Sequence, residues 1–355
     1  MFTLDFLQLR PTIMPNSVNC NLRCLYCYCE RTKETSGNFM NEKTMKIVIK
    51  KFIKAYPKFI SFCWHGGEPL LKGVSFYEKV CNLQKQYKLK NQEIENGIQT
   101  NATLIDEAWA DFFKKFRFKI GVSIDGPELI NDAQRKDIDE GKTFFKIMKG
   151  IYFLRKKDLQ FSVIIVITNR SVKYPEKIYR FIKKEKFFDV KLNPCFGNNP
   201  FSVDFKEYAN FMNSIFDFWF KEDDPKLSIS YFEDIIKWFI GGKPNICHFC
   251  NSCYRHVRID YSGDVLPCDG FLGRDFKLGN LLKQDLEDIV RGTNYKKFFY
   301  AVTKIIPYCQ KCEWVNLCNG GCSQYSFRGN FHKYLNAMCE SRKLIFEHIR
   351  ETLKI

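Results

Sequence analysis

The sequence predicts an α/β protein in which parallel strands wind into a barrel or partial barrel, followed by a smaller cysteine-rich segment. Three observations carry this expectation. Short apolar runs alternate with helical patterns up to about residue 195, Gly and Cys take over after about residue 240, and 16 cysteines stand in a chain of 355 residues. Strand–helix alternation implies parallel strands joined by right-handed crossovers. The cysteine-rich part cannot bury much apolar area, so bound metal has to supply its folding energy.

Each element follows from its pattern. Met45, Val48, Ile49, Phe52 and Ile53 recur at the helical i, i+3, i+4 spacing, as do Ile105, Trp109, Phe112, Phe113 and Phe116. Between helices lie strand-like runs at Phe59–Cys63, Glu93–Gln99, Lys119–Ile124, Phe161–Thr168 and Val190–Asn193. Residues 201–240 read as a helical bridge, 241–340 as the cysteine domain and 341–355 as one closing helix.

Composition excludes several classes. At 45% apolar and 16% aromatic residues the chain can bury a core and is not disordered. No uncharged apolar stretch reaches the roughly 18 residues of a membrane span. The N-terminus does not read as a secretory signal, so the expected location is cytoplasmic. Thiols are kept reduced there, and dense cysteines point to metal rather than disulfides. The formal charge of +16 is read as solvated helix faces such as Lys50, Lys51, Lys54 and Lys183, Lys184, Lys186. It does not by itself call for nucleic acid.

Cys20, Cys24 and Cys27 are spaced C-x3-C-x2-C after the first strand. Three thiolates can hold a four-iron cluster by three corners and leave one iron open to another ligand. They also suit a zinc site short of one ligand, although zinc more often uses paired C-x2-C knuckles. His65-Gly66-Gly67-Glu68-Pro69 follows the second strand and so sits at its C-terminal end, where parallel barrels place active sites. Two glycines there let the backbone approach a ligand closely. Further on, Cys253 and Cys268 flank Gly263, Cys309-x2-Cys312-x5-Cys318-x3-Cys322 follows, and Cys339 closes the set. Two tetrahedral all-cysteine zinc sites, with four thiolates each, would also use eight cysteines.

The first cysteine motif resembles the radical S-adenosylmethionine (SAM) signature, with Tyr26 as its aromatic. His65–Pro69 resembles that superfamily's GGEP motif. The later cysteines resemble a SPASM extension. The stretches Ile98-Gln99-Thr100-Asn101, Ser123-Ile124-Asp125-Gly126-Pro127, Arg135-Lys136-Asp137 and Leu266-Pro267-Cys268-Asp269 are similar to the anaerobic sulfatase-maturating enzymes.

That resemblance implies a partial (β/α)6 radical SAM barrel over residues 1–200 with a C-terminal SPASM domain. It implies three [4Fe–4S] clusters: one on Cys20, Cys24 and Cys27, one on Cys247, Cys253, Cys268 and Cys322, and one on Cys309, Cys312, Cys318 and Cys339. Cys250 is a spare. It also implies that the Gly66, Gly67 and Glu68 segment receives the SAM amino group, that Ser123 and Arg135 contact its carboxylate, and that Tyr26 and Gln99 complete the cofactor-binding set. Asp269 would be the catalytic base. The implied activity is a radical SAM oxidoreductase converting a peptidyl Cys or Ser to formylglycine in an unfolded sulfatase, with a flavodoxin- or ferredoxin-type electron donor. The alternative is a maturase of ribosomally made peptides, forming a thioether or carbon–carbon crosslink. Such maturases often carry an extra N-terminal domain, and a chain starting almost at its first strand favours the first reading.

Two departures from the family pattern stand out. Cys29 follows Tyr28 where the family has a tyrosine, and His65 stands where it has glutamine. Cys63, Cys81 and Cys195, outside every ligand set, are expected to be small core residues.

Overall fold

Ile60, Phe62 and Trp64 are buried while Phe59 and Cys63, alternating with them, are exposed. That two-residue alternation makes the segment a strand with one face on the core. The computed structural model describes residues 3–29, 37–197, 199–268, 276–304, 307–322 and 331–355, without the side chains of 5, 6, 307 and 331–337.

A short helix α1 (Leu4–Leu7) precedes β1 (Arg10–Ile13). The repeating units then follow: α2 (Glu42–Ala55), β2 (Phe59–Trp64), α3 (Val74–Tyr87), β3 (Glu93–Thr100), α4 (Glu107–Phe116) and β4 (Lys119–Ser123). After these come α5 (Glu128–Gln134), α6 (Phe144–Lys156), β5 (Phe161–Ile167), α7 (Pro175–Lys184) and β6 (Asp189–Pro194). Strands β1 to β6 lie side by side in chain order and pair in parallel. This is the expected six-stranded partial barrel, with helices packed outside.

Local chemistry starts and seats the helices. Asn41 caps α2 by accepting from the Thr44 N–H at 2.8 Å, and Asp106 caps α4 by accepting from the Trp109 N–H at 2.9 Å. Helix α2 buries Met45, Val48, Ile49, Phe52 and Ile53, the stripe its periodicity predicted. Tyr77 of α3 sits amid Trp64, Trp109 and Phe118 at ring separations of 5.4, 5.7 and 6.2 Å. Edge-to-face contacts of this kind add to area burial.

The sheet has ten strands among the described residues, more than the repeat predicted. The bridge is not purely helical: α8 (Phe205–Glu222) leads to β7 (Ser228–Ile229), which extends the sheet beside β6, and then to α9 (Ser230–Phe239). On the other edge β8 (His256–Ile259) pairs in parallel with β1, followed antiparallel by β9 (Asp264–Pro267) and β10 (Gly279–Asn280). The cysteine domain is therefore hydrogen-bonded into the barrel sheet. Two-residue strands carry too little pattern to be legible beforehand.

The cysteine domain is also more helical than expected, with helices at Leu286–Arg291 and Thr293–Thr303. The closing helix runs Phe331–Leu353, beginning earlier than 341 and including Cys339. It packs along α8 and buries Ile345, Phe346 and Ile349. Cys195 is buried and Cys81 half-buried, but Cys63 is exposed because the register of β2 points it outward. No described helix is long and apolar enough to cross a membrane.

Candidate functional site

The first three cysteines lie on a loop between β1 and α2, at the C-terminal end of the barrel. Backbone hydrogen bonds pin this loop to the segment after α5: Arg23 N–H to Lys136 C=O at 2.7 Å and Leu25 N–H to Gln134 C=O at 2.9 Å. Burial pushes the Cys20 thiol up to about 11, with the Glu68 charge adding, and burial pushes Cys24 up to about 12. A hydrogen bond with Cys29 instead lowers Cys27 to about 6. Each of Cys20 and Cys24 feels the charge of Cys27, so the three thiols share one neighbourhood. Metal binding there has to displace protons.

Across this loop lies the glycine turn that follows β2. Gly66 and Gly67 have φ of +82° and +55°. A Cβ on Gly67 would stand 2.0 Å from the Asn19 carbonyl oxygen, and one on Gly66 would strike the Met14 side chain. Only glycine permits this approach. Glu68 is buried, and its carboxylate accepts from the Leu70 N–H at 3.0 Å, the Thr100 hydroxyl at 2.7 Å and the Asn101 N–H at 2.8 Å. Burial still pushes it up to about 7. Asn101 also reaches the Cys20 sulfur at 3.7 Å, tying the end of β3 to the cysteine loop.

A third group lies beside the cysteine loop. The Tyr26 hydroxyl donates to Asp125 Oδ2 at 2.7 Å and accepts from Arg135 Nη1 at 2.5 Å. Asp125 is also held by Gln134 Nε2 at 2.9 Å and the Val166 N–H at 3.0 Å. Burial works against the Arg135 charge, but Cys24, Tyr26 and Asp125 outweigh it and keep the guanidinium firmly protonated. Arg135 Nε is buried with no hydrogen-bond partner. A ligand carboxylate would satisfy it. Gln99 donates to Ser123 Oγ at 2.9 Å at the ends of β3 and β4. These residues therefore fit a cofactor bearing an amino group and a carboxylate.

The later cysteines separate into two groups. A hydrogen bond with Cys253 and burial push the Cys247 thiol far up, and the charges of Cys253, Cys322 and Cys268 add to this. Cys309, Cys312, Cys318 and Cys339 line one small cavity together with Arg342 and Phe346. Burial pushes Cys339 up to about 11, opposed by Lys343 and reinforced by Cys318, Cys309 and Cys312. Cys250 is exposed, with its sulfur 3.0 Å from the Ser252 hydroxyl and 3.8 Å from the Cys247 carbonyl oxygen.

Among the described residues no three Cys, His, Asp or Glu side chains are placed to share a single ion.

Between the two groups lies Arg342. Its Nη1 donates to the Cys318 sulfur at 3.7 Å, and its charge is stabilised by Cys318, Tyr231 and Cys322 against the cost of burial. The Gly321 backbone lies against it so closely that a Cβ would stand 1.7 Å from Nη1.

The proposed cluster cysteines and cofactor-binding residues lie in these groups, whereas Asp269 lies outside the described residues. Sequence reasoning missed Asp125, Gln134, Asn101 and Arg342 as participants. Asp125 and Asn101 stood inside stretches already picked out, whereas nothing in the pattern marked Arg342.

Comparison with known proteins agrees with this geometry. Residues 15–182 match the radical SAM superfamily, and residues 239–313 match an iron–sulfur cluster-binding domain, SPASM. The cysteine-type anaerobic sulfatase-maturating enzyme of Clostridium perfringens is 31% identical over 350 residues, covering 95% of each chain. The serine-type enzyme of Bacteroides thetaiotaomicron is 30% identical over 367 residues, covering 95% of this chain and 88% of its own. Native anSMEcpe with bound AdoMet superposes with a TM-score of 0.91 at 30% identity, over 97% of this chain and 98% of that one. A second structure of it, with AdoMet and the Cp18Cys peptide, gives 0.90 over 97% of each chain. This chain is a radical SAM enzyme with a SPASM domain, and it belongs to the anaerobic sulfatase-maturating enzymes.

Proposed function

We propose that this protein oxidises a peptidyl cysteine or serine to formylglycine in a sulfatase-type segment. The observation that carries the reading is the meeting, at one end of the barrel, of the Cys20, Cys24 and Cys27 thiols with the Gly66–Gly67 turn and the unsatisfied Arg135 Nε. Full-length likeness to both cysteine-type and serine-type maturases supports it.

When bound on those three thiols, a cluster with one open iron supplies the reductive cleavage of SAM to a 5′-deoxyadenosyl radical. The protein's part is positioning. The glycine turn brings backbone groups up to the SAM amino group, while Glu68, locked by three donors, sets the conformation of that turn. Arg135 holds the SAM carboxylate, and Tyr26 and Asp125 hold Arg135.

A cysteine substrate would lose a hydrogen atom from Cβ to the 5′-deoxyadenosyl radical and a proton from its sulfur, and the remaining electron would pass to the auxiliary clusters when these are bound. Water would then replace sulfur, leaving the aldehyde and hydrogen sulfide, whereas a serine would give the aldehyde directly. Asp269 is assigned as the proton acceptor. Cys247, Cys253, Cys268 and Cys322, and separately Cys309, Cys312, Cys318 and Cys339, are assigned to the two auxiliary clusters, with no ligand position left open to substrate.

Anaerobic incubation with SAM, reductant and a peptide containing Cys-x-Pro-x-Arg tests the reading. Mass spectrometry should show sulfur exchanged for carbonyl oxygen, with one 5′-deoxyadenosine per aldehyde. Abundant 5′-deoxyadenosine with an unaltered peptide would reject this substrate class, and a crosslinked product from a short precursor peptide would favour the alternative maturase.

A further inference from the structure

A groove of about 1400 Å3 lies outside the barrel, bounded by α5, α6, α7 and the loops after β5 and β6. No step proposed above uses it. Its charge is one-sided. Arg170, Lys173, Lys177, Arg180 and Lys184 line it, the last three on one stripe of α7 at i, i+3 and i+7 spacing.

Little on the protein neutralises them. Arg180 pairs with Glu176, but among the described residues Lys173, Lys177 and Lys184 make no ion pair. Of the acids in the groove, Glu128 is engaged by Lys142 and Glu185 by Arg155, neither of which lines it, and Glu207 is the third. The walls also leave large apolar side chains in water. Leu129 is 83% exposed and Phe145 66%. Lys177 lies over the Tyr174 ring and Arg170 over Phe201, so the cations keep most of their charge, and exposed apolar groups rimmed by such cations mark an interaction surface rather than a merely solvated face.

Its position says what the surface serves. Arg170 donates from Nη1 to the Ala133 carbonyl at 2.9 Å, which fixes the groove wall to the end of α5. The next residue, Gln134, accepts from the Leu25 N–H between Cys24 and Cys27, and Lys136 accepts from Arg23. Leu25 is itself 38% exposed and Arg23 is exposed. The wall of the basic groove is therefore tied to the cysteine loop through the end of α5. The groove faces away from the barrel interior, where substrate is attacked, so an occupant gains closeness to the loop and not to the peptide.

We propose that this groove docks a small acidic one-electron carrier protein, of the flavin or iron–sulfur class, which delivers the electron for SAM cleavage. The proposal rests on the radical SAM reading: each SAM cleaved consumes one electron, and the carrier is oxidised by one electron. Acidic side chains on the carrier would meet the stripe of α7, and its apolar contact rim would cover Leu129 and Phe145. Opposite charge speeds encounter and makes it salt-dependent.

The test uses the fully loaded enzyme and an acidic flavodoxin as probe. In the double variant Lys173→Glu/Lys177→Glu, the dissociation constant for oxidised flavodoxin, read by anaerobic fluorescence titration at low salt, should rise about tenfold or more. Formation of 5′-deoxyadenosine with limiting reduced flavodoxin should fall in parallel, while formation with dithionite stays unchanged. Leu129→Ser gives the same comparison if the double variant does not assemble its clusters. Unchanged flavodoxin affinity in the assembled variant would overturn the proposal. So would unchanged affinity with a raised peptide KM under dithionite, which would assign the groove to the substrate protein. Absence of dithionite-driven SAM cleavage in the unmodified enzyme would instead refute the radical SAM reading itself.

Discussion

The Tyr26 hydroxyl lies 2.7 Å from Asp125 Oδ2, and this bond joins the cysteine loop to the loop that follows β4. Because the same hydroxyl accepts from Arg135, two side chains distant from one another in sequence set the orientation of one buried cation. Removing Asp125 would leave that cation uncompensated. Asp125→Ala should destabilise the protein by about 3–5 kcal/mol, since it breaks a buried pair from one side. Tyr26→Phe should cost less, about 1–3 kcal/mol. Denaturant unfolding of the cluster-free chain measures both. Equal costs would show that the hydroxyl, and not the carboxylate, carries the network.

The glycine turn predicts an ordered pair of effects. At Gly67 an added Cβ meets the backbone oxygen of Asn19, whereas at Gly66 it meets the flexible side chain of Met14. Gly67→Ala should therefore weaken SAM binding by well over tenfold, and Gly66→Ala by less, because Met14 can move. Equilibrium dialysis with labelled SAM on the loaded enzyme separates them. A Gly66 variant weaker than the Gly67 variant would contradict the packing.

Glu68 makes stability depend on pH. Burial raises its folded pKa from 4.5 to about 7, so the ionised form is the one disfavoured in the fold. The relative stability is then fully present below pH 4.5 and lost as pH rises through about 7. The whole effect is on the order of 3 kcal/mol. Glu68→Gln should lower stability throughout, through lost acceptors, yet flatten this particular slope. Urea unfolding of the cluster-free chain between these pH values would refute the assignment if both proteins kept the same slope.

The cysteine groups predict iron content. Cys247→Ala should lose about four of about twelve irons per chain, while Cys250→Ala should retain them all. Iron analysis with electron paramagnetic resonance of the reconstituted variants decides which cysteine is the ligand. The reverse pattern would exchange their assignments.

Arg342 predicts a redox effect. An N–H···S contact and a nearby positive charge favour the reduced form of an iron–sulfur cluster. Arg342→Met should move the potential of the cluster assigned to Cys318 downward, by about 59 mV if reduction becomes tenfold less favourable. Potentiometric titration reads the shift directly. An unmoved potential with intact clusters would reduce Arg342 to a packing residue.

The sequence alone determined the alternating barrel, the cysteine motif and the glycine turn, because period, spacing and glycine placement are local properties. The apolar stripe of α2 followed for the same reason. Tertiary structure decided what depends on contacts between distant residues. It brought β8 beside β1, set Cys247 next to Cys253, Cys268 and Cys322, exposed Cys63, and placed Arg342 against Cys318. It also gathered the cations of α7 beside the cysteine loop, where the sequence had shown only a solvated face. Charge and thiol chemistry act through space, and the spacing that matters is created only when the chain folds.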